Sequence, residues 1–141
     1  MASKTKSPSE VVLSWIDAVN SHDIPRIMET LHDEYEYWFN DQLLKGMQEV
    51  KTAWETYLKA IPDLHLEPLL VISDGVYVGV RFRVTGTNNG PVKSLQSGSS
   101  IIPVPHAAKT IDYTEGEFFR IKDGKIINLW NYWDTAALQK Q

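Results

Sequence analysis

Apolar residues first recur at helical spacing. Val11, Val12, Trp15, Ile16 and Val19 lie on one face of a 3.6-residue period. Ser7-Pro8-Ser9-Glu10 precedes them. A serine cap, a proline in the first turn and an acid three residues after the serine make a capping box. A helix is therefore predicted from Pro8 to about Asn20. Ser21-His22-Asp23 interrupts it, and Asp23 can cap a second, short helix carrying Pro25, Ile27, Met28 and Leu31. The run Tyr35 to Phe39 is β-prone and ends at Asn40-Asp41. A third helix is predicted from Met47 to Ala60, with Val50, Ala53, Trp54, Tyr57 and Leu58 on one side.

The period then changes from helical to alternating. Leu64 to Ser73 reads as a strand, and Asp74-Gly75 as a hairpin turn. Val76, Val78, Val80, Phe82 and Val84 alternate with Tyr77, Gly79, Arg81, Arg83 and Thr85. That is a two-faced strand whose valine side has the stronger claim to the core. Residues 86–108 form a long polar loop rich in Gly, Ser and Pro. Lys109 to Ile121 and Lys125 to Asp134 are two further strands around an Asp123-Gly124 turn, and residues 135–141 a short helical tail. Three helices with one short strand among them, followed by about four long antiparallel strands, predict an α+β fold. A curved sheet wrapped by the N-terminal helices would enclose a pocket. Residues 1–6 are expected to be a flexible tail and residues 7–141 a single domain.

Composition narrows the function. The 141 residues carry a net charge of −4 and no dense Lys/Arg run, which argues against nucleic-acid binding through a basic face. Cysteine is absent, so there is neither a disulfide framework nor a thiol nucleophile. The start has no hydrophobic signal region, and no apolar run reaches the ~20 residues of a membrane span. A soluble, cytoplasmic protein is expected, with no membrane partner. The four histidines have no paired spacing, so no metal site is expected. The five Trp and six Tyr are unusual, because such rings often line ligand pockets.

Four stretches carry a family resemblance. They are the opening helix ending V-N-S-H-D; G-M-Q-E-V followed by W-E-T-Y-L-K-A-I-P-D-L-H; V-G-V-R-F-R-V-T-G-T; and E-F-F-R-I-K-D-G-K-I-I-N-L-W-N-Y-W-D. In this order they resemble the SnoaL-like polyketide cyclases of the NTF2-like superfamily. The resemblance implies a cone-shaped fold and an acidic general acid/base on the third long strand, at the position of Glu117. The family residue is typically Asp, so a Glu here would reach about 1 Å further into the pocket. The segment Pro103 to Lys109 also lacks the glycine that the family places before this strand. Epoxide-hydrolase-like members of the superfamily hold a water with an Asp–Arg–Asp arrangement, which Asp134 and Arg81 resemble in part.

Glu117 shares a strand face with Tyr113, Glu115, Phe119 and Ile121. A carboxyl covered by such neighbours has its pKa raised, as a general acid/base near neutral pH requires. The bland alternative pairs Glu115 and Glu117 with arginines on an exposed face. Asp134 could orient water or merely cap a turn. Arg81 and His106 could stabilise an oxyanion, or could simply be solvated. Tyr35, Tyr37, Trp38, Trp54, Tyr57, Tyr113, Phe119, Trp130 and Tyr132 are candidate walls for the substrate. The leading expectation is a cofactor-independent cyclase or isomerase acting on a hydrophobic, oxygenated polyketide or terpenoid intermediate of secondary metabolism. It would work as a homodimer joined through the open sheet face. The alternatives are an epoxide-hydrolase-like or dehydratase enzyme with Asp134 orienting water, and a non-catalytic ligand-binding or assembly module.

Overall fold

The computed structural model describes residues 6–89 and 109–132. Its elements run α1 (Pro8–Asn20), α2 (Ile24–Glu29), β1 (Leu31–Phe39), β2 (Gln42–Lys45), α3 (Met47–Ala60), β3 (His65–Asp74), β4 (Tyr77–Asn88), β5 (Lys109–Lys122) and β6 (Lys125–Tyr132). The strands form one six-stranded sheet in the order β2-β1-β6-β5-β4-β3. All neighbours are antiparallel except β1 and β6, which are parallel. The α+β architecture is as expected. Asp134, His106, the rest of residues 90–108 and the C-terminal segment from 133 lie outside the described residues, as do residues 1–5.

Local chemistry accounts for the helix starts. The Ser7 hydroxyl accepts from the Glu10 amide, and the Glu10 carboxylate accepts from the Ser7 amide at 2.9 Å. Asp23 caps α2 by accepting from the Arg26 amide. Val11, Val12, Trp15, Ile16, Ala18 and Val19 bury the inner stripe of α1, which packs across β3, β4, β5 and β6. Asn20 ties helix to sheet by donating to the Leu66 carbonyl and accepting from its amide, at 2.9 and 2.8 Å.

Three strand boundaries differ from the sequence expectation. β1 begins at Leu31, four residues early, because Leu31 pairs with Ile126 and the Thr30 carbonyl accepts from the Ile126 amide, before the register shifts between Leu31 and Glu36. Asn40 and Asp41 do not simply end β1. Both adopt positive φ (45° and 69°), the left-handed pair of a tight hairpin, and lead into β2. The β3–β4 turn is Gly75-Val76 rather than Asp74-Gly75, with Gly75 at φ 59° as its first loop residue. Asp74 therefore still pairs, with Tyr77.

The inner face of the sheet carries the core. Val78, Val80, Phe82 and Val84 are buried, whereas Tyr77, Arg81 and Arg83 are exposed. Beyond Leu66 every residue of β3 is exposed, so the β3–β4 turn end projects past the helices.

Gly86 sits where β4 passes under the end of α3. A Cβ there would lie 2.6 Å from Ile61 Cγ2, and Ile61 is fully buried. Gly86→Ala is expected to lower unfolding stability by about 1–3 kcal/mol through overpacking. Urea denaturation of the variant beside the parent checks this, and equal midpoints would contradict the contact.

Candidate active site

β5 lies in the middle of the sheet, paired to β4 on one side and β6 on the other. Its alternation sends Tyr113, Glu115, Glu117, Phe119 and Ile121 to the inner face, beneath the helices. Glu115 and Glu117 are 6% and 3% exposed. They are neighbours on one strand face, with neither a lysine nor an arginine against them among the described residues. They line a cavity of about 40 Å³ together with Asn131, Tyr57 and a shell of apolar and aromatic side chains.

The two carboxyls are not equivalent. Burial pushes Glu115 up to about 7, although hydrogen bonds from Glu117, Tyr113 and Asn131 favour its charged form. The Tyr113 hydroxyl donates to Glu115 Oε2 at 3.2 Å. Burial pushes Glu117 well above the carboxylate range, and the charge of Glu115 and the hydrogen bond to it push the same way. Glu117 Oε2 is buried and meets no donor among the described residues, so nothing supports a charge there. At neutral pH Glu117 is a carboxylic acid, while Glu115 exchanges its proton near pH 7.

The tyrosines stay neutral. Burial raises Tyr35, Tyr37, Tyr57 and Tyr113 well above the usual phenol value, and the glutamates' charge adds to it. The Asn131 amide donates to the Tyr37 hydroxyl at 3.0 Å. Asn131 Oδ1 is buried without a partner among the described residues, and the buried Tyr57 hydroxyl has only a poorly aligned approach to Tyr113. A proton-exchanging carboxyl, a neutral acid, a phenol and a free amide carbonyl therefore share one cavity. Groups of these kinds can move a proton and hold an oxygen atom.

Of the expected wall residues, Tyr35, Tyr37, Trp54 and Tyr57 line this cavity, and Tyr113 reaches it through Glu115. The others do not. Phe119 is fully buried core, its ring 5.3 Å from that of Trp15. Trp38 and Trp130 pair directly between β1 and β6. They point to the outer face, because Tyr37 and Asn131 take the inner one. Tyr132 is 44% exposed on that outer face, where its ring meets Phe118 at 6.4 Å. Arg81 is also corrected. It stands opposite Gly116 on the outer side of β4, across the sheet from the carboxyl pair.

Two residues of the site escaped the sequence reading as working groups. Glu115 was placed on the right face, and its alternation with Glu117 was the available signal. Asn131 had none, since strand asparagines are common and its cross-strand pairing with Glu117 exists only in the sheet. Among the described residues no group of three or more His, Asp or Glu comes together as a metal-ligand set. No described helix is long and apolar enough to cross a membrane.

Comparison with known proteins agrees with this frame. The family model described as SnoaL-like polyketide cyclase matches residues 9–141. No curated protein matches the sequence. A solved SnoaL-like polyketide cyclase from Agrobacterium tumefaciens is similar at a TM-score of 0.77 and 18% identity, over 96% of this chain and 98% of that one. An LEH-like epoxide hydrolase from M. tuberculosis is similar at 0.73 and 13% identity, over 94% and 86%. A protein with a ketosteroid isomerase-like fold from Catenulispora acidiphila, solved with trimethylamine, is similar at 0.73 and 13%, over 94% and 91%. At such identities these structures share the fold alone.

The raised Glu115 carries a pH signature. The folded chain keeps a proton that the unfolded chain gives up above about pH 4.5, its ordinary value. Glu115 alone therefore lowers stability as pH rises from there to about 7, by about 3 kcal/mol, and Glu117, pushed further up, adds its own fall over the same window. Glu115→Gln, neutral at every pH, should make that slope shallower and be the more stable protein at pH 8. Urea unfolding across the range measures it. A parent whose stability rises or stays level between pH 4.5 and 7 would refute the buried-pair description.

Proposed function

The chain belongs to the SnoaL-like polyketide cyclase family, and from that premise we propose that it is a cofactor-independent cyclase or isomerase working by proton transfer at Glu115 and Glu117. The observation that carries the reading is the buried carboxyl pair, with its two acidities pushed apart. Glu115 in its charged form takes a proton from a carbon next to a carbonyl. Glu117, as the neutral acid, gives a hydrogen bond or its proton to the oxygen that becomes negative. The buried Tyr57 hydroxyl, whose only neighbouring hydroxyl is that of Tyr113 among the described residues, supplies a second donor. The apolar wall excludes water and strengthens these interactions. A hydrophobic, oxygenated substrate fits such a wall, and a polyketide or terpenoid intermediate is of that kind.

A second reading rests on cavity size. About 40 Å³ has room for roughly three waters by the usual measure. Glu117 Oε2, Asn131 Oδ1 and the Tyr57 hydroxyl offer the polar partners that a held water needs. A hydrolase or dehydratase would use that water as reactant or product. Asp134 and His106 stand as further proposed groups of either site.

We also propose that a second copy of the chain covers the outer sheet face. Leu70, Ile72, Tyr77 and Phe118 are each more than half exposed there, a contiguous apolar surface of the kind that marks an interface. Arg81 and Asp74 border the same groove and form no ion pair among the described residues. In a two-fold contact, each arginine can meet the other copy's aspartate.

Enolisable ketones incubated in D2O test the proton-transfer reading. NMR should detect α-hydrogen exchange faster than in buffer. Glu115→Gln or Glu117→Gln should slow it by about 100-fold or more, the usual contribution of a general acid or base. Exchange no faster with the parent than with folded variants would sink the proposal. For the dimer, sedimentation at tens of micromolar should give twice the chain mass, and Phe118→Glu the single mass. A monomeric parent would end that reading.

A further inference from the structure

The carboxyl pair lies in a narrow cavity. A cavity of about 40 Å³ is far below the ~300 Å³ at the lower end of ligand pockets. A substrate can reach the pair only if part of the wall moves. Among the described residues every lining residue is buried except Trp54, which is partly exposed.

The neighbouring rings explain why Trp54 is the part free to move. Trp15 lies on α1 and is clamped by the rings of Phe119 at 5.3 Å and Phe82 at 6.4 Å, both fully buried. Tyr35, Tyr37 and Tyr57 are likewise buried. Trp54 meets Trp15 at 6.1 Å and Tyr57 at 6.1 Å, and it is partly exposed. It stands on α3 between Val50 and Tyr57, four residues before it and three after, which face the same cavity. Swinging its indole outward disturbs two ring contacts and no buried hydrogen bond. Swinging any other wall ring would disturb the core.

We infer that Trp54 is the door to the carboxyl pair and the residue that sets the size of molecule the site admits. The space that an outward indole vacates is indole-sized. The site therefore suits an oxygenated molecule with no more than about two fused rings, or an open chain of similar bulk. This rests on the proton-transfer site proposed above and narrows its substrate class. An engineered cavity of ~150 Å³ already accepts one benzene ring, so the scale is reasonable.

The test is calorimetric titration with 2-tetralone, a two-ring ketone, and anthrone, a three-ring ketone. The parent should bind 2-tetralone and refuse anthrone. Trp54→Ala should bind 2-tetralone at least tenfold more tightly, since no door has to open. Equal affinities within twofold for parent and variant would overturn the inference, as would a parent that takes anthrone as readily as 2-tetralone. If Trp54→Ala does not fold, Trp54→Phe carries the test. At least threefold tighter 2-tetralone binding supports the door, and no change refutes it. Binding is read without turnover. A size rule that holds while deuterium exchange is absent would sink the proton-transfer reading alone. Exchange with the same 2-tetralone affinity in parent and Trp54→Ala would sink the door alone.

Discussion

Two carboxyl groups on one face of a central strand must be buried together, and the free energy of that burial shapes the site. An ionised carboxylate in a dry core is costly unless it is paired or hydrogen-bonded. Among the described residues no cation faces Glu115 or Glu117, so the cost is met by keeping a proton. Glu117 holds it, and Glu115 is stabilised by Glu117, Tyr113 and Asn131. Around them the tyrosines remain neutral for the same reason. The result is a small polar island whose acidity has been moved to neutral pH by its surroundings.

Those surroundings come from the way α1 crosses the sheet. Trp15 lies under the helix and touches rings from β4, β5 and α3 at once. It joins the core proper to the cavity wall and leaves little empty volume between them. The two faces of the sheet thereby separate in character. The inner face holds the carboxyls under aromatic cover. The outer face carries Arg81, Phe118, Tyr77 and Tyr132 in the open. Structures at 13–18% identity keep the same frame, among them an epoxide hydrolase and a cyclase. The frame needs only alternation and a covering helix, which many sequences satisfy, so the chemistry resides in a few side chains.

Much of the fold was legible along the chain because its signals are local. The Ser7–Glu10 capping box, the helical stripe from Val11 to Val19 and the valine alternation of β4 each appear in the sequence and recur in the structure. β2 was missed because four residues are too few for a period, and the Asn40-Asp41 turn reads equally as an ending. Alternation also put Glu115 and Glu117 on one face. It could not say that α1 and α3 would bury that face.

The sequence by itself determined the element order, the α+β class and which residues share a side of each strand, because backbone period and capping act over a few residues. Only the tertiary structure decided which side is inward. That depends on pairing between distant strands and on a helix laid across them. The same distant pairing brought Asn131 opposite Glu117, sent Arg81, Trp130 and Tyr132 to the outer face, and left Trp54 partly exposed where the other described rings of the cavity are buried.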